Sequence, residues 1–395
     1  MNRALRVTLV TETYFPQVNG VSRTLDRLVR HCSNLGDQVQ LLLPQYPEGA
    51  VVLPAGVESR AWRAMPLPFY REVALPLVTP GGVADALATF RPDLVHIATE
   101  GPLGWAALRA ASRLQQPVVS SYHTNFAEYL ARYRAGLLAP LCWSYLRRFH
   151  NATRMTFCPT PSTRRELESR GFRNVAVWSR GVDSEHFHPA KRDPGLRTAL
   201  GIAPDEIVLA YAGRLAAEKN LDMLIKAWRA LPERGRCRLL FIGDGPLRRR
   251  LEEQAGDRGI FAGYRHGEEL ARMYASADLF VFPSVTETFG NVVLEAMASG
   301  LPAIGFAVQG PGDIIQDGRT GRLVRTVHAD ALRQAMSTVL ADEQQRIQMA
   351  QRARRHAETQ SWERIMGGLR NAYAETVDAC HIPHKGAVNA GHTVA

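Results

Sequence analysis

The chain has 395 residues, of which 46% are apolar and 22% are charged. This length exceeds what one ordinary hydrophobic core organises, so we expect two domains of roughly 180 residues each. The net charge of +10 and the pI of about 9.7 indicate an acidic partner. No apolar run approaches the roughly 18 to 20 residues that a membrane span requires, so the sequence predicts no transmembrane segment.

The N-terminal residues do not have the pattern of a signal peptide, because the apolar stretch after Met1 is a short predicted strand that ends at Glu12. We therefore expect a cytoplasmic protein. The five cysteines lie far apart and form no Cys-x-x-Cys pair, which predicts neither a zinc site nor a disulfide framework. We expect most of these thiols to be buried.

The first half of the chain alternates short apolar strands with helices, which is typical of a parallel sheet covered on both faces. Ligands of such sheets bind beyond the carboxyl ends of the strands, so the residues that follow each strand are the candidates for function. In chain order, strands are predicted at 6–11, 38–43, 93–97 and 117–121, with helices at 20–34 and 103–114.

Two of these strand ends carry candidate residues. Asn19 and Gly20 follow the first strand and open a helix, either as a plain glycine turn or as a place where the backbone approaches a ligand. His123 follows the strand at 117–121, where an imidazole can contact a substrate hydroxyl or stabilise positive charge that develops on a substrate. A lone histidine is more often structural, so both interpretations stay open on the residues alone.

Arginine, aromatic and leucine residues recur at helical spacing between Phe126 and Asn151. The pattern is typical of a surface that lies in the headgroup layer of an anionic bilayer, although two ordinary helices with solvated arginines fit it as well. Nucleic acid is not expected as the acidic partner, because no helix-turn-helix, zinc-finger or RNP-like run is present. The candidate membrane contacts are Arg132, Arg134, Arg147 and Arg148.

A polar stretch between Gly181 and Pro189 predicts a domain boundary near residue 183. A second alternating series follows, and residues 379–395, which are small and polar, indicate a loose tail. The predicted strands are 207–211, 237–242, 260–262, 279–282 and 302–304, and the predicted helices are 220–230, 246–255, 268–275, 292–299 and 328–340.

The first two strands of this series end in glycine-rich, charged turns. Arg214 and Lys219 follow the strand at 207–211 and can meet a diphosphate as a planar fork and as a point charge, or can be solvated surface charges. Asp244 lies between two glycines after the strand at 237–242. That turn is not a dinucleotide fingerprint, because Arg248 stands where the third glycine would be.

The strand at 279–282 leads through a glycine turn into a helix, with Glu287 before the turn and Glu295 about one helical turn inside. Free N–H groups at such a helix start favour a phosphate, and Gly290 lets the chain approach it. A donor made of a sugar, a diphosphate and a ribose suits this layout, because carboxylates accept hydrogen bonds from hydroxyls. A surface loop followed by an ordinary first-turn acid is the alternative.

Glu-x7-Glu after Phe-Pro-Ser at 282–284, together with Gly-Arg-Leu-x3-Lys-Asn-Leu at 213–221, resembles the family 4 retaining glycosyltransferases of the GT-B fold. The resemblance runs from about Val7 to about Val377. Within the family, the chain resembles most the subgroup that contains bacterial GDP-mannose-dependent α-mannosyltransferases and sulfoquinovosyl- or glucuronosyl-diacylglycerol synthases. Its N-terminal run is similar to residues 11–21 here.

The resemblance implies an α/β protein in which two doubly wound, Rossmann-like domains face each other across a cleft. With the boundary above, residues 1–183 form the acceptor-side domain and residues 184–361 the nucleotide-sugar-binding domain. Residues 362–378 form a helix that crosses back to the first domain, before the tail at 379–395.

The resemblance also assigns residues to roles. It places Gly20 against the donor diphosphate and the base near Gly263 through backbone contacts, so GDP and UDP are not distinguished by sequence. The implied catalytic residues are His123, Arg214, Lys219 and Glu287, and the implied donor-binding residues are Gly20, Asp244, Gly263, Gly290, Asn291, Val292 and Glu295.

The implied reaction retains the anomeric configuration, with a donor phosphate oxygen accepting the acceptor proton on the front face. Many transferases hold a divalent ion with Asp-x-Asp, which this chain lacks. We therefore expect no metal and no cofactor, with Arg214, Lys219 and the helix start stabilising the leaving diphosphate.

The expected partners are a nucleotide-diphosphate sugar, GDP-mannose before a UDP-sugar, and a lipid or glycolipid acceptor at the inner face of the cytoplasmic membrane. A nucleotide-sugar epimerase of GT-B architecture and a glycosyltransferase with a soluble acceptor in polysaccharide synthesis are the alternatives.

Overall fold

The structure is a computed structural model that describes residues 3–17, 19–46, 53–67, 70–123 and 139–381. The chain divides into two compact units. The domain limits predicted at 183 and 361 stay predictions. The first unit comprises Met1–Phe157, Phe172–Val175 and Met366–Ala395, and the second comprises Cys158–Gly171 and Ala176–Ile365.

A seven-stranded sheet forms the centre of the first unit, in the order β3-β2-β1-β6-β7-β8-β9, and β4 and β5 form a separate antiparallel pair. The pairings from β3 to β8 are parallel, and the apolar residues of β1 are buried because the sheet is covered on both faces. The strands are β1 (Arg6–Val10), β2 (Gln38–Pro44), β3 (Val57–Trp62), β4 (Ala64–Leu67), β5 (Tyr70–Pro76), β6 (Leu94–Ile97), β7 (Val118–Ser121), β8 (Met155–Cys158) and β9 (Val175–Val177).

The helices of the first unit begin at residues suited to helix starts. Asn19 caps the first helix, because its side-chain oxygen accepts hydrogen bonds from the N–H groups of Val21 and Ser22. Thr79 caps the second in the same way. The helices are α1 (Gly20–Asn34), α2 (Pro80–Phe90), α3 (Pro102–Arg113) and α4 (Ala139–His150).

The second unit contains a six-stranded parallel sheet in the order β12-β11-β10-β13-β14-β15. Its core includes Trp228, Tyr211 and Phe280, all fully buried. The strands are β10 (Ile207–Ala212), β11 (Cys237–Ile242), β12 (Gly259–Gly263), β13 (Leu279–Phe282), β14 (Ala303–Phe306) and β15 (Gly321–Val324). The helices are α5 (Pro161–Ser169), α6 (Pro194–Ala199), α7 (Leu221–Arg229), α8 (Arg248–Ala255), α9 (Gly267–Ala275), α10 (Asn291–Ala298), α11 (Pro311–Ile314), α12 (Ala329–Ala341) and α13 (Glu343–Glu358).

The last helix, α14 (Trp362–His381), belongs to the first unit from Met366 onward. The Arg370 guanidinium donates to both carboxylate oxygens of Asp37, at 3.1 and 2.9 Å, and both side chains are almost fully buried. The buried Tyr373 hydroxyl also contacts the His96 ring. α14 extends three residues past its predicted end at 378, and the rest of the predicted tail lies outside the described residues.

In each large sheet the strand order reverses once near the middle, between β1 and β6 in the first unit and between β10 and β13 in the second. Loops that follow the two strands at such a point leave in opposite directions and open a crevice, which is where open parallel sheets bind ligands. The loops after β10 and β13, together with the start of α10, contain seven of the eleven predicted catalytic and donor-binding residues.

Candidate active site

A partly buried salt bridge joins the two loops at the strand-order reversal of the second unit. The Lys219 ammonium donates to the Glu287 carboxylate, and the two side chains are only 19% and 23% exposed. The Asn220 side chain adds a hydrogen bond to the Pro283 carbonyl at 3.2 Å. Because partial burial weakens solvent screening, this pair is electrostatically stronger than a surface ion pair. The sequence named both residues but gave no sign of their contact.

Arg214 lies in the same loop, and its side chain is exposed. The Tyr211 hydroxyl, at the end of β10, donates to the Arg214 carbonyl at 3.1 Å and so fixes the backbone there. Burial raises the pKa of Tyr211, and the nearby Glu287 charge adds to the effect. In the described part of the chain the Arg214 guanidinium forms no ion pair, which leaves it available to an anion.

Glycines allow the loops after β10 and β11 to touch. A Cβ at Gly243 would lie 2.1 Å from the Gly213 carbonyl oxygen, and one at Gly245 would lie 2.5 Å from that of Leu215. These distances are too short for any side chain at either position. Asp244, between the two glycines, is therefore held at the carboxyl end of the sheet.

Asp244 already has partners within its own loop and helix. Its carboxylate accepts from the Gly245 N–H at 2.7 Å and from Arg248 at 2.8 Å, and the Arg248 hydrogen bond lowers the pKa of Asp244. The Gly263 carbonyl, at the end of β12, accepts from the Gly243 N–H at 2.9 Å. The Tyr264 hydroxyl donates to the Asp244 carbonyl at 3.1 Å. The segment predicted to hold the base thus lies beside Asp244, and its role stays a prediction.

The N-terminus of α10 is open. Its N-cap residue, Gly290, has a φ of +92° and provides no side-chain hydrogen bond to the N–H groups that follow. Asn291 and Val292 begin the helix and are partly exposed. Free N–H groups and the helix dipole make such an end attractive to a phosphate.

One turn into α10, Glu295 is held by a buried tyrosine. The Tyr274 hydroxyl, on α9, donates to the Glu295 carboxylate at 3.2 Å. Burial and the Glu295 charge raise the pKa of Tyr274, so the hydroxyl keeps its proton and acts as a donor. The sequence gave no signal for Tyr274, which occupies an ordinary apolar position of α9.

The predicted residues of the first unit also lie at strand ends. Gly20 is exposed, and a Cβ there would meet no heavy atom within 4 Å, so packing does not require the glycine. His123 lies two residues past β7 and is 8% exposed. Their roles toward a donor or an acceptor stay predictions.

Two glutamates that the sequence did not single out follow β1 and β6, where the first sheet reverses its order. Glu12 accepts a hydrogen bond from the Leu103 N–H at 2.8 Å, at the start of α3. Burial raises the pKa of Glu12 to about 7, and the nearby Glu100 charge adds to the effect. Glu100 pairs with the buried His150 at 3.0 Å. A predicted strand end followed by an acid was the available signal for both.

The basic stretch is only partly described. Arg132 and Arg134 lie outside the described residues. Helix α4 exposes Leu141 (67%) and Tyr145 (43%) beside the exposed Arg147 and Arg148. This surface is both apolar and basic. No helix in the described ranges is long and apolar enough to cross a membrane.

Within the same ranges, no group of three or more His, Cys, Asp or Glu side chains is arranged to hold a metal ion. The independence from metal therefore stays a prediction.

Two family models match the chain: that of glycosyltransferase family 4 over residues 18–186, and that of glycosyl transferases group 1 over residues 194–356. The chain is 33% identical to a sulfoquinovosyl transferase from Arabidopsis thaliana, over 94% of this chain and 74% of the relative. The chain belongs to glycosyltransferase family 4. The resemblance inferred from the motifs is thereby confirmed.

Two further relatives are similar over nearly their whole length. A GDP-mannose-dependent alpha-mannosyltransferase of Mycobacterium tuberculosis is 36% identical, over 93% of this chain and 96% of the relative. A GDP-mannose-dependent alpha-(1-6)-phosphatidylinositol dimannoside mannosyltransferase of the same species is 30% identical, over 92% and 95%. The chain is thus an enzyme that transfers a sugar, and the epimerase alternative is not favoured.

A solved structure supports the same fold. Sucrose-phosphate synthase from Thermosynechococcus elongatus superimposes with a TM-score of 0.75 at 22% identity, covering 95% of this chain and 100% of that one. The prediction of a GT-B glycosyltransferase with two parallel-sheet α/β domains is confirmed.

Proposed function

We propose that this family 4 glycosyltransferase moves a hexosyl group from a nucleotide-diphosphate sugar to a lipid or glycolipid acceptor. GDP-mannose is the favoured donor, because two relatives are named as GDP-mannose-dependent mannosyltransferases, and a UDP-sugar is the alternative. The observation that carries the proposal is the contact between Lys219 and Glu287 beside the open start of α10.

The bond that breaks lies between the sugar and the diphosphate, so the two sides of that bond need different protein groups close together. Lys219 supplies a cation for the phosphate side, and Glu287 supplies an acceptor for sugar hydroxyls. Negative charge grows on the leaving diphosphate, and Arg214 with the N–H groups of Asn291 and Val292 would stabilise it. These groups do the work that a metal does in other transferases.

The remaining residues orient the donor and the acceptor. Glu295, held by Tyr274, would accept hydrogen bonds from the ribose hydroxyls. Gly20 would let the diphosphate approach the backbone, Asp244 and Gly263 would lie near the base, and His123 would contact the sugar or the acceptor hydroxyl. The acceptor oxygen would bond to the anomeric carbon on the face from which the diphosphate leaves, so the configuration would be retained. A donor phosphate oxygen would take the acceptor proton as the bond between the sugar and the diphosphate breaks.

A donor panel tests this function. Purified protein is incubated with GDP-mannose and with UDP-sugars, and nucleotide release is measured with and without a lipid extract. We expect lipid-dependent release from one donor and a new glycolipid in the extract by mass spectrometry. NMR of that glycolipid should show the donor's anomeric configuration. Release that depends on a soluble glycan instead would indicate the polysaccharide alternative. No nucleotide release from any donor would refute the proposal.

The acceptor proposal includes a peripheral position at the inner face of the cytoplasmic membrane. Helix α4 exposes Leu141 and Tyr145 ahead of Arg147 and Arg148, a composition suited to the headgroup layer of an anionic bilayer. Each arginine near such a surface contributes about 1 kcal/mol, so the four predicted arginines together can hold the enzyme reversibly.

Liposome sedimentation tests the membrane contact. We expect changing Arg132, Arg134, Arg147 and Arg148 to glutamine to abolish binding to anionic vesicles at low salt while donor binding persists. A control variant with the same change at four exposed arginines of the second unit, Arg229, Arg249, Arg319 and Arg352, keeps the net charge equal. Equal vesicle binding by the two variants would contradict the contact.

A further inference from the structure

Gly310 supports the loop that carries Glu287. Its φ is +86°, and a Cβ there would lie 2.7 Å from the Phe289 carbonyl oxygen and 3.0 Å from that of Glu287. Only glycine adopts this conformation freely and fits this close approach. The backbone at Gly310 therefore packs directly against the backbone of residues 287–289.

Asp313 fixes Gly310 in place. The Asp313 carboxylate accepts from the Gly310 N–H at 3.3 Å, and the Asp313 N–H donates to the Gly310 carbonyl at 3.0 Å. Gly310 is the N-cap residue of the single-turn helix α11, and Asp313 is the third residue of that helix. A shift of the Asp313 side chain would therefore change the position of the Gly310 backbone, which packs against the loop that carries Glu287.

The same carboxylate is anchored to α5. The Ser162 N–H donates to one Asp313 oxygen at 3.0 Å, and the Ser162 hydroxyl donates to the other. A parallel contact joins the Gln309 amide to the Thr163 hydroxyl, next to Ser162 on the same helix. Hydrogen bonds to an ionised carboxylate are the stronger kind, so this anchor is well defined.

We infer that Asp313 and Ser162 are positioning residues for Glu287, the carboxylate proposed to bind the sugar of the donor substrate. The connection runs from Ser162 to the Asp313 carboxylate, then to the Gly310 backbone, and then to the carbonyls of Glu287 and Phe289. It sets where Glu287 meets Lys219 and where the start of α10 lies. The inference rests on the proposed donor site. Asp313 and Ser162 would act on Glu287 through the Gly310 backbone, without direct contact.

The test compares Asp313→Ala and Ser162→Ala with two matched controls in the same unit. Asp205→Ala removes an exposed acid, and Ser169→Ala removes an exposed serine of α5. We expect kcat/KM for the donor to fall about 10-fold or more in Asp313→Ala and about 3-fold in Ser162→Ala, because small misplacements of catalytic groups are costly. The controls should keep wild-type kinetics.

A double-mutant cycle separates positioning from a general loss of fold. If Asp313 acts through Glu287, then Asp313→Ala should cost clearly less in a Glu287→Gln background than in the wild type, and Ser162→Ala should follow it. Thermal unfolding of each variant identifies any that fail to fold, in which case the milder Ser162→Ala decides.

Fully additive losses, or unchanged kcat/KM in Ser162→Ala and Asp313→Ala, would overturn the positioning role while leaving the donor site intact. A wild-type enzyme that binds no nucleotide sugar by calorimetry would instead overturn the proposed function. The two failures are therefore distinguishable.

Discussion

The two units place glutamates at the same point of their sheets but use them differently. In the second unit, Glu287 pairs with Lys219, and the neighbouring start of α10 has no side-chain cap. In the first unit, Glu12 itself accepts from the start of α3, and Asn19 caps α1. A helix start that is filled by a side chain of the protein has fewer free N–H groups for a phosphate. This difference supports the proposal that most of the phosphate contacts come from the second unit.

Gly101 in the first unit and Gly290 in the second differ in the same way as the two helix starts. A Cβ at Gly101 would lie 1.8 Å from a Glu12 carboxylate oxygen, so this glycine makes room for an internal contact. A Cβ at Gly290 would meet its nearest atoms at 3.6 Å, which is ordinary contact. Gly290 is required by its positive φ, which turns the chain into α10 and leaves the helix start accessible.

The largest expected effect concerns the cations of the second unit. We expect Lys219→Ala and Arg214→Ala each to reduce transfer by about 10²-fold or more with the fold intact, because both act on charge that develops in the transition state. Steady-state kinetics measure the loss, and Lys226→Ala, an exposed lysine of the same unit, is the control. Near-normal turnover in both variants would contradict the proposal that the second unit binds the diphosphate.

The next effect is on the stability of the first unit. Burial raises the pKa of Glu12 to about 7, so between its ordinary value and 7 the folded protein holds a proton that the unfolded chain has lost. The contribution of Glu12 to the free energy of unfolding therefore falls as the pH rises, by about 2 kcal/mol between pH 5 and 7. Denaturant unfolding should show this slope in the wild type and a flatter one in Glu12→Gln. Identical slopes would mean that Glu12 is ionised throughout.

A smaller effect is expected for Glu295. Removing its carboxylate in Glu295→Ala should weaken donor binding by about 10-fold, because ribose hydrogen bonds to a charged group are lost while the diphosphate contacts persist. Calorimetry with the preferred donor measures the change. Glu253→Ala, an exposed glutamate of α8, is the control. An unchanged dissociation constant would count against the ribose assignment.

The smallest expected effect is that of chelation. If the cations and the start of α10 replace a metal, EDTA should leave the transfer rate unchanged, and added magnesium or manganese should not raise it. Loss of activity in EDTA that magnesium restores would show that the second unit needs an ion after all.

Apolar patterning predicted much of the fold. The ranges of α1, β11 and β13 agree with the predicted ones, because their buried faces form clear periodic or continuous apolar runs. Strand β3 (Val57–Trp62) was missed because it is a largely exposed edge strand with the polar sequence Val-Glu-Ser-Arg-Ala-Trp. Helix α13 (Glu343–Glu358) was missed because glutamine and arginine dominate it and only three of its residues are buried.

The site was predictable only in part. The rule that function follows strand ends selected Lys219, Glu287 and Glu295 from the sequence. The contact of Lys219 with Glu287 joins residues 68 positions apart, and that of Tyr274 with Glu295 depends on how α9 packs against α10. Local patterns contain no information on such pairings, which arise only when the sheet assembles.

The attachment of α14 has a consequence for synthesis of the protein. Asp37 and Arg370 are 333 positions apart, and His96 and Tyr373 are 277 apart. On the ribosome, the first unit emerges first but lacks its partner for a buried carboxylate until the last helix has been made. The second unit, whose segments end at Ile365, can complete its core earlier. The N-terminal segment of the nascent chain is therefore the last to complete its core, and we expect an isolated fragment of it to gain stability when residues 366–381 are added.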